Sequence, residues 1–193
     1  MSKILTKKIQ TQLSDYFSSD SEMTKPETRC LKDMVLGVLK SKSVFVNQIA
    51  ASLREPLKLK DVAKRLSAQY LKGDYAENVL CQHLKSVAGS ISKDNFILMD
   101  GTDISKKHAR YMEGLEFVKN GDTGEIGLGY NVLNINAINL HKEISPLYSK
   151  AYSFEMGALS INNEIKKAVR GVKKHIEYKG CWVFDRGADN GIL

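Results

Sequence analysis

The sequence predicts an α/β protein of the α+β kind, with helices first and a mixed sheet after them. Three observations predict it. Up to about Gly89, apolar residues recur three and four apart, the helical period. Beyond Gly89, short apolar runs and two-residue alternation take over, the marks of strands. A strongly amphipathic stretch, Ile161 to Gly180, then stands between strand-like runs, and a crossover helix implies that the last strand joins its sheet in parallel. Residues 1–90 are therefore expected to form a helical region and residues 91–193 a sheet domain.

Each helix has its own signals. "IQTQLSDYF" places Ile9, Leu13 and Phe17 at helical spacing. A Ser-rich break follows, and Pro26 suits the first turn of the next helix. That helix carries a stripe of Leu31, Met34, Val35, Val38 and Leu39. After "SKS", with Ser43 as a candidate cap, a short helix runs to Pro56. "LKLKDVAKRLSAQYLKG" repeats the pattern and ends at Gly73, and "DYAENVLCQHLKSVAGS" closes at Gly89. "MVLGVLKSKSVFVNQIAASL" reads as two helices on a tight turn, the shape of a helix-turn-helix and equally of a plain bundle. Lys40, Lys42, Arg54, Lys58, Lys60, Lys64 and Arg65 crowd this region, as phosphate-contacting residues or as a solvated face.

In the second half, "NFILMD" has the length and flanks of a buried strand. Asn120-Gly121 and Thr123-Gly124 signal turns. Tyr130, Val132, Asn134 and Asn136 then alternate with Leu133, Ile135 and Ala137, a second strand, and "ISPLYSKAYSF" supplies a third. In the helix that follows, Ile161, Ile165, Val169, Val172 and Ile176 form one stripe. Lys166, Lys167, Arg170, Lys173 and Lys174 fall mostly off it. "CWVFD" is the last strand.

Composition narrows the chemistry. The 193 residues suit one domain, or a small domain plus part of another. A hydrophobic fraction of 42% is enough for a core, and the net charge of +7 favours anionic partners, nucleic acid before membrane. Cys30, Cys81 and Cys181 are far apart with no CxxC pair, which argues against a disulfide framework or zinc site and for buried reduced thiols. No stretch reaches signal-peptide or membrane-span length. A soluble cytoplasmic chain is expected.

Asp100 and Asp185 each follow an apolar run. If the two runs are neighbouring strands, both carboxylates emerge at strand ends and converge. Paired carboxylates repel unless a cation neutralises them, and hard oxygen ligands select Mg²⁺ or Mn²⁺. Such a site in a basic protein points to phosphodiester chemistry. The alternative is turn chemistry: "DGTD" and "DRGAD" are good turns, and Asp103 can cap a helix beginning at Ile104. Asp103 and Asp189 read as supporting or capping residues. Lys106, Lys107 and Arg110 follow as candidates to hold DNA phosphates beside the metal.

"MDGTDISKKHARYMEGLEFVKNGDTGEIGLGYNVLNIN" resembles the first catalytic block of DDE transposases of bacterial insertion sequences, of the insertion-sequence-four type. "WVFDRGAD" resembles their second block, and "MVLGVLKSKSVFVNQIAASL" their N-terminal helical region. The resemblance implies a helical DNA-binding region before an incomplete RNase H-like mixed sheet. In that fold the first Asp lies on the first strand and the second on the fourth. It makes Asp100 and Asp185 two members of a catalytic triad holding Mg²⁺ or Mn²⁺, for cut-and-paste DNA transposition. The implied partners are double-stranded DNA (element terminal repeats and target), a second copy as a homodimer or full-length transposase, and no membrane. The implied location is the bacterial nucleoid. The family's third acid belongs to a Tyr-x-x-Arg-x-x-x-Glu signature beyond the second aspartate. Here Tyr70 and Tyr148 each have a glutamate seven places on, but no arginine between, and both precede Asp185. The expectation is therefore the N-terminal portion of a transposase, inactive alone, with one sheet edge and face uncovered. A non-catalytic DNA-binding remnant and a Mg²⁺-dependent RNase H-like nuclease are the other two readings.

Overall fold

A computed structural model describes residues 3–17, 23–72, 75–106, 108–121 and 123–184. The fold is mixed α and β, with a helical half followed by a five-stranded sheet. The chain forms two compact units, Met1–Gln82 and His83–Leu193.

In the first unit, α1 (Lys3–Tyr16), α2 (Lys25–Ser41), α3 (Val46–Leu53) and α4 (Leu59–Lys72) follow the predicted order. Pro26 sits in the first turn of α2, and the Glu27 carboxylate reaches back to accept from the Thr24 N–H at 2.7 Å. The core joins Cys30 of α2, Ile49 and Ala50 of α3, and Val62, Ala63 and Leu66 of α4. Helices α2 and α3 meet at Gly37, where an added Cβ would stand 2.3 Å from Ile49 Cγ2. Only glycine permits that approach. Between them Lys42 takes a left-handed conformation, φ 54°. Ser43 does not cap α3: its Oγ accepts from the Phe45 N–H inside the turn, and Phe45 holds the cap position. The expected stop at Gly73 lies outside the described residues.

Helix α5 (Tyr75–Ala88) ends before Gly89, as expected. The sheet then comprises β1 (Phe96–Ser105), β2 (Glu116–Lys119), β3 (Ile126–Ile138), β4 (Ile144–Tyr152) and β5 (Cys181–Phe184), with α6 (Ile161–Ile176) between the last two. Strand β3 is the spine, antiparallel to β1 on one edge and to β2 and then β4 on the other. Strand β5 pairs with β1 in parallel, as a crossover through α6 requires.

Register assigns the faces, because directly paired residues share a side. Ile97 pairs with Ala137 and Trp182, and Met99 with Ile135 and Phe184. This face packs under α6, whose Ile165, Ala168, Val169, Val172 and Ile176 are buried. The Glu164–Lys150 ion pair and Lys173 over the Trp182 ring, 5.5 Å from its centroid, fasten helix to sheet on that side. The opposite face carries Leu98, Asp100, Thr102, Val132, Asn134, Ser149 and Ala151. Asp100, Thr102, Ser149 and Ala151 on it are exposed.

Two expectations change. Strand β1 does not end at Asp100 but runs on to Ser105, paired with β3 throughout. Asp103 therefore caps no helix at Ile104. Strand β2 was not anticipated, so the crossover leads to a fifth strand rather than a fourth. Of the cysteines, Cys30 is buried, but Cys81 is only half-buried and Cys181 is exposed.

Candidate metal and nucleic-acid site

Asp100 stands in mid-strand, paired with β3. Through Met99, β1 pairs with β3 on one side and β5 on the other, and among the described residues the parallel ladder's last pair is Met99 with Phe184. In the sequence the next residues are Asp100 and Asp185. Asp185, like Asp189, lies outside the described residues.

Asp100 pairs with Asn134, and Asn134 pairs in turn with Ser149. One row across this face is thus carboxylate, amide, hydroxyl. The Ser149 hydroxyl donates to Asn134 Oδ1 at 2.8 Å, which fixes the amide with its NH₂ free to point elsewhere. Asp100 itself is exposed and has no ion-pair or hydrogen-bond partner among the described residues. An open carboxylate is the kind of hard oxygen donor a divalent cation takes, though the Asn134 oxygen beside it is already bound by Ser149. Among the described residues no three His, Cys, Asp or Glu side chains group as metal ligands. They supply one carboxylate of the expected pair.

Asp103 is three residues on and so faces the other side of β1. Its Oδ1 accepts from the Gly121 N–H at 3.1 Å, tying the strand to the β2–β3 turn. That is a supporting role, reached through a strand rather than a cap.

Of the basic residues after Asp100, Lys106 lies well along the strand from it. Lys106 follows the end of β1, where its N–H donates to the Leu128 carbonyl at 2.7 Å. At a strand's rise, six residues place it roughly 20 Å from Asp100. Lys106 and Arg110 are exposed on this turn, and Lys107 lies outside the described residues. By that measure Lys106 is not beside Asp100. A duplex rising about 3.4 Å per step would need some six phosphates to span the gap.

In the first unit, Lys42, Arg54, Lys58, Lys60 and Lys64 are exposed, and Lys40 is half-buried. Lys60 and Lys64 share one side of α4, away from the buried Val62, Ala63 and Leu66. Arg65 has a different task. Its guanidinium turns inward, 2.8 Å from Asp33 Oδ2, and also binds Glu55. Arg29 completes the cluster at 3.5 Å from Glu55. With both terminal nitrogens on carboxylates, Arg65 knits α2 to α4 and to the loop after α3.

Sequence reasoning passed over three further polar groups. Asn134 and Ser149 gain meaning only from register; alternation set Asn134 on one side of its strand with Tyr130, Val132 and Asn136. Glu164 is the third, a carboxylate 4% exposed that accepts from Lys167 at 2.6 Å. The Lys167 hydrogen bond holds its pKa below the usual carboxylate range, against the opposing effect of burial, with Lys150 helping. Burial, with Glu164 adding to it, pushes the Tyr148 phenol up to about 12, so it stays protonated.

Compared with known proteins, the chain matches no family model, and no curated protein sequence is a match.

Proposed function

We propose that the chain handles DNA in the manner of a DDE transposase, with Asp100 and Asp185 as two of the carboxylates that hold Mg²⁺ or Mn²⁺. The observation that carries the reading is the parallel β1–β5 ladder. It runs to the residue before each aspartate, and the register otherwise gives Asp100 an open, polar face. Bound there, a divalent ion would supply charge neutralisation and an activated water at a scissile phosphodiester. The chain's own part is to hold the carboxylates on a rigid strand pair and leave the face open to a duplex.

The RNase H-like assignment belongs to this proposal and rests on the same features: antiparallel strands, a crossover helix and a parallel strand beside the first. Lys40, Lys42, Arg54, Lys58, Lys60 and Lys64 are proposed as the phosphate contacts of the helical region, Arg65 being committed within the fold. The third acid's signature does not occur in the 193 residues, so cleavage by this stretch alone is not part of the proposal. Metal binding and duplex binding are.

Calorimetric titration of the chain with Mg²⁺ tests the metal half. Asp100→Ala and Asp185→Ala should each weaken binding by at least about tenfold, roughly the loss of one good ligand interaction, while duplex affinity stays within about twofold. Undiminished Mg²⁺ binding in both variants would remove the assignment.

A further inference from the structure

The outer face of α6 is strongly basic and has no part in the Asp100 site. Lys166, Arg170, Lys173 and Lys174 are all exposed along it. The helix has one acid within its span, Glu164, and that side chain is buried against the sheet with Lys167 and Lys150. No described carboxylate pairs with Lys166, Arg170 or Lys174. Solvent faces of helices ordinarily interleave both signs, because like charges four apart repel. Here Lys166–Arg170 and Arg170–Lys174 are like pairs at that spacing, and the helix's one outward acid is Glu177 at its C-cap, three residues beyond Lys174. Lys85 extends the field: Lys174 and Lys85 both push the His175 imidazole below its usual range, after burial.

We propose that this face is a second nucleic-acid surface, which tracks the phosphates of one duplex strand on the side of the sheet opposite Asp100. From Lys166 to Lys174 the helix rises about 12 Å, which matches roughly three to four phosphate steps of about 3.4 Å. The rival anionic partner, a lipid surface, fits poorly. Helices that lie on membranes offer an apolar face to the acyl boundary. The apolar face of α6 is already buried, with Ala168, Val172 and Ile176 fully covered. Apart from Ile161 at the start of the helix, what remains outside is polar or charged.

The surface does not depend on the metal reading, and the test separates the two. The full chain is titrated onto a short generic duplex by fluorescence anisotropy, between about 50 and 200 mM salt. Lys166→Gln, Arg170→Gln and Lys174→Gln together should lower the slope of log affinity against log salt by about 2–3, from three lost phosphate contacts. The corresponding triple glutamate variant should weaken binding further. The glutamine variant should bind Mg²⁺ like the parent. The substituted residues are exposed, and an unchanged melting temperature confirms the fold; should the glutamate variant melt early, the glutamine variant decides. Unchanged slope and affinity in a folded glutamine variant would overturn the proposal. So would loss of binding to phosphatidylserine vesicles with duplex binding intact.

Discussion

Asp100 and Asp103 lie three residues apart on one strand and do opposite things. Asp100 has no partner among the described residues, so its carboxylate adds little to the fold. Asp100→Asn should change stability by no more than about 0.5 kcal/mol in urea unfolding. Asp103 accepts from the Gly121 N–H, and Asp103→Ala should cost about 0.5–1.5 kcal/mol while leaving Mg²⁺ affinity untouched. Glu164 adds a pH dependence. Its pKa is held below the ordinary value of about 4.5, first by the Lys167 hydrogen bond. A depressed carboxylate contributes stability that is present above that ordinary value and lost as pH falls through the folded one. Lys150 and Lys167 are more than half exposed, so the contribution is screened to about 1–2 kcal/mol. Glu164→Gln should therefore unfold more easily than the parent near neutral pH, and the gap should close as pH falls below the ordinary carboxylate value. A gap that persists in acid would place the cost in packing instead.

At the scale of elements, most of the pattern was legible. Helices α2 to α4 and α6 follow from apolar spacing, and α6 follows most plainly because its stripe is continuous from Ile161 to Ile176. The extent of β1 was not legible. Gly101, Thr102 and Asp103 are good turn formers, and local preference alone ends the strand before them. The ten-residue pairing with β3 overrides that preference, as strand context commonly does. Strand β2 escaped for the opposite reason: Glu116–Lys119 is four residues long and makes sense only against Ile126–Gly129. The inward turn of Arg65 was equally invisible, since Asp33 and Glu55 reach it only through tertiary structure. Packing of α2 on α3 has a direct test. Gly37→Ala would gain helix propensity of about 1 kcal/mol, but its methyl would collide with Ile49. A net loss of about 1–3 kcal/mol is expected from overpacking, read as a lower urea midpoint. A stabilised variant would mean that the helices part freely.

At the scale of the whole molecule, exposed cations gather on the α2–α4 region and on the outer face of α6, and Asp100 stands in a polar row of the sheet. None of the described helices is long and apolar enough to cross a membrane. Duplex affinity should fall steeply with salt, and Lys60→Gln with Lys64→Gln should reduce the slope by about 2. A salt-insensitive complex would argue against phosphate contacts. The most direct measurement is paramagnetic broadening of backbone amide signals by Mn²⁺ in the isotope-labelled chain. A metal held by Asp100 and Asp185 predicts broadening centred on Met99 to Thr102 and on Asn134 across the ladder, lost in both Asp100→Asn and Asp185→Asn. Broadening spread over surface carboxylates, or unchanged by either substitution, would contradict the paired-aspartate site.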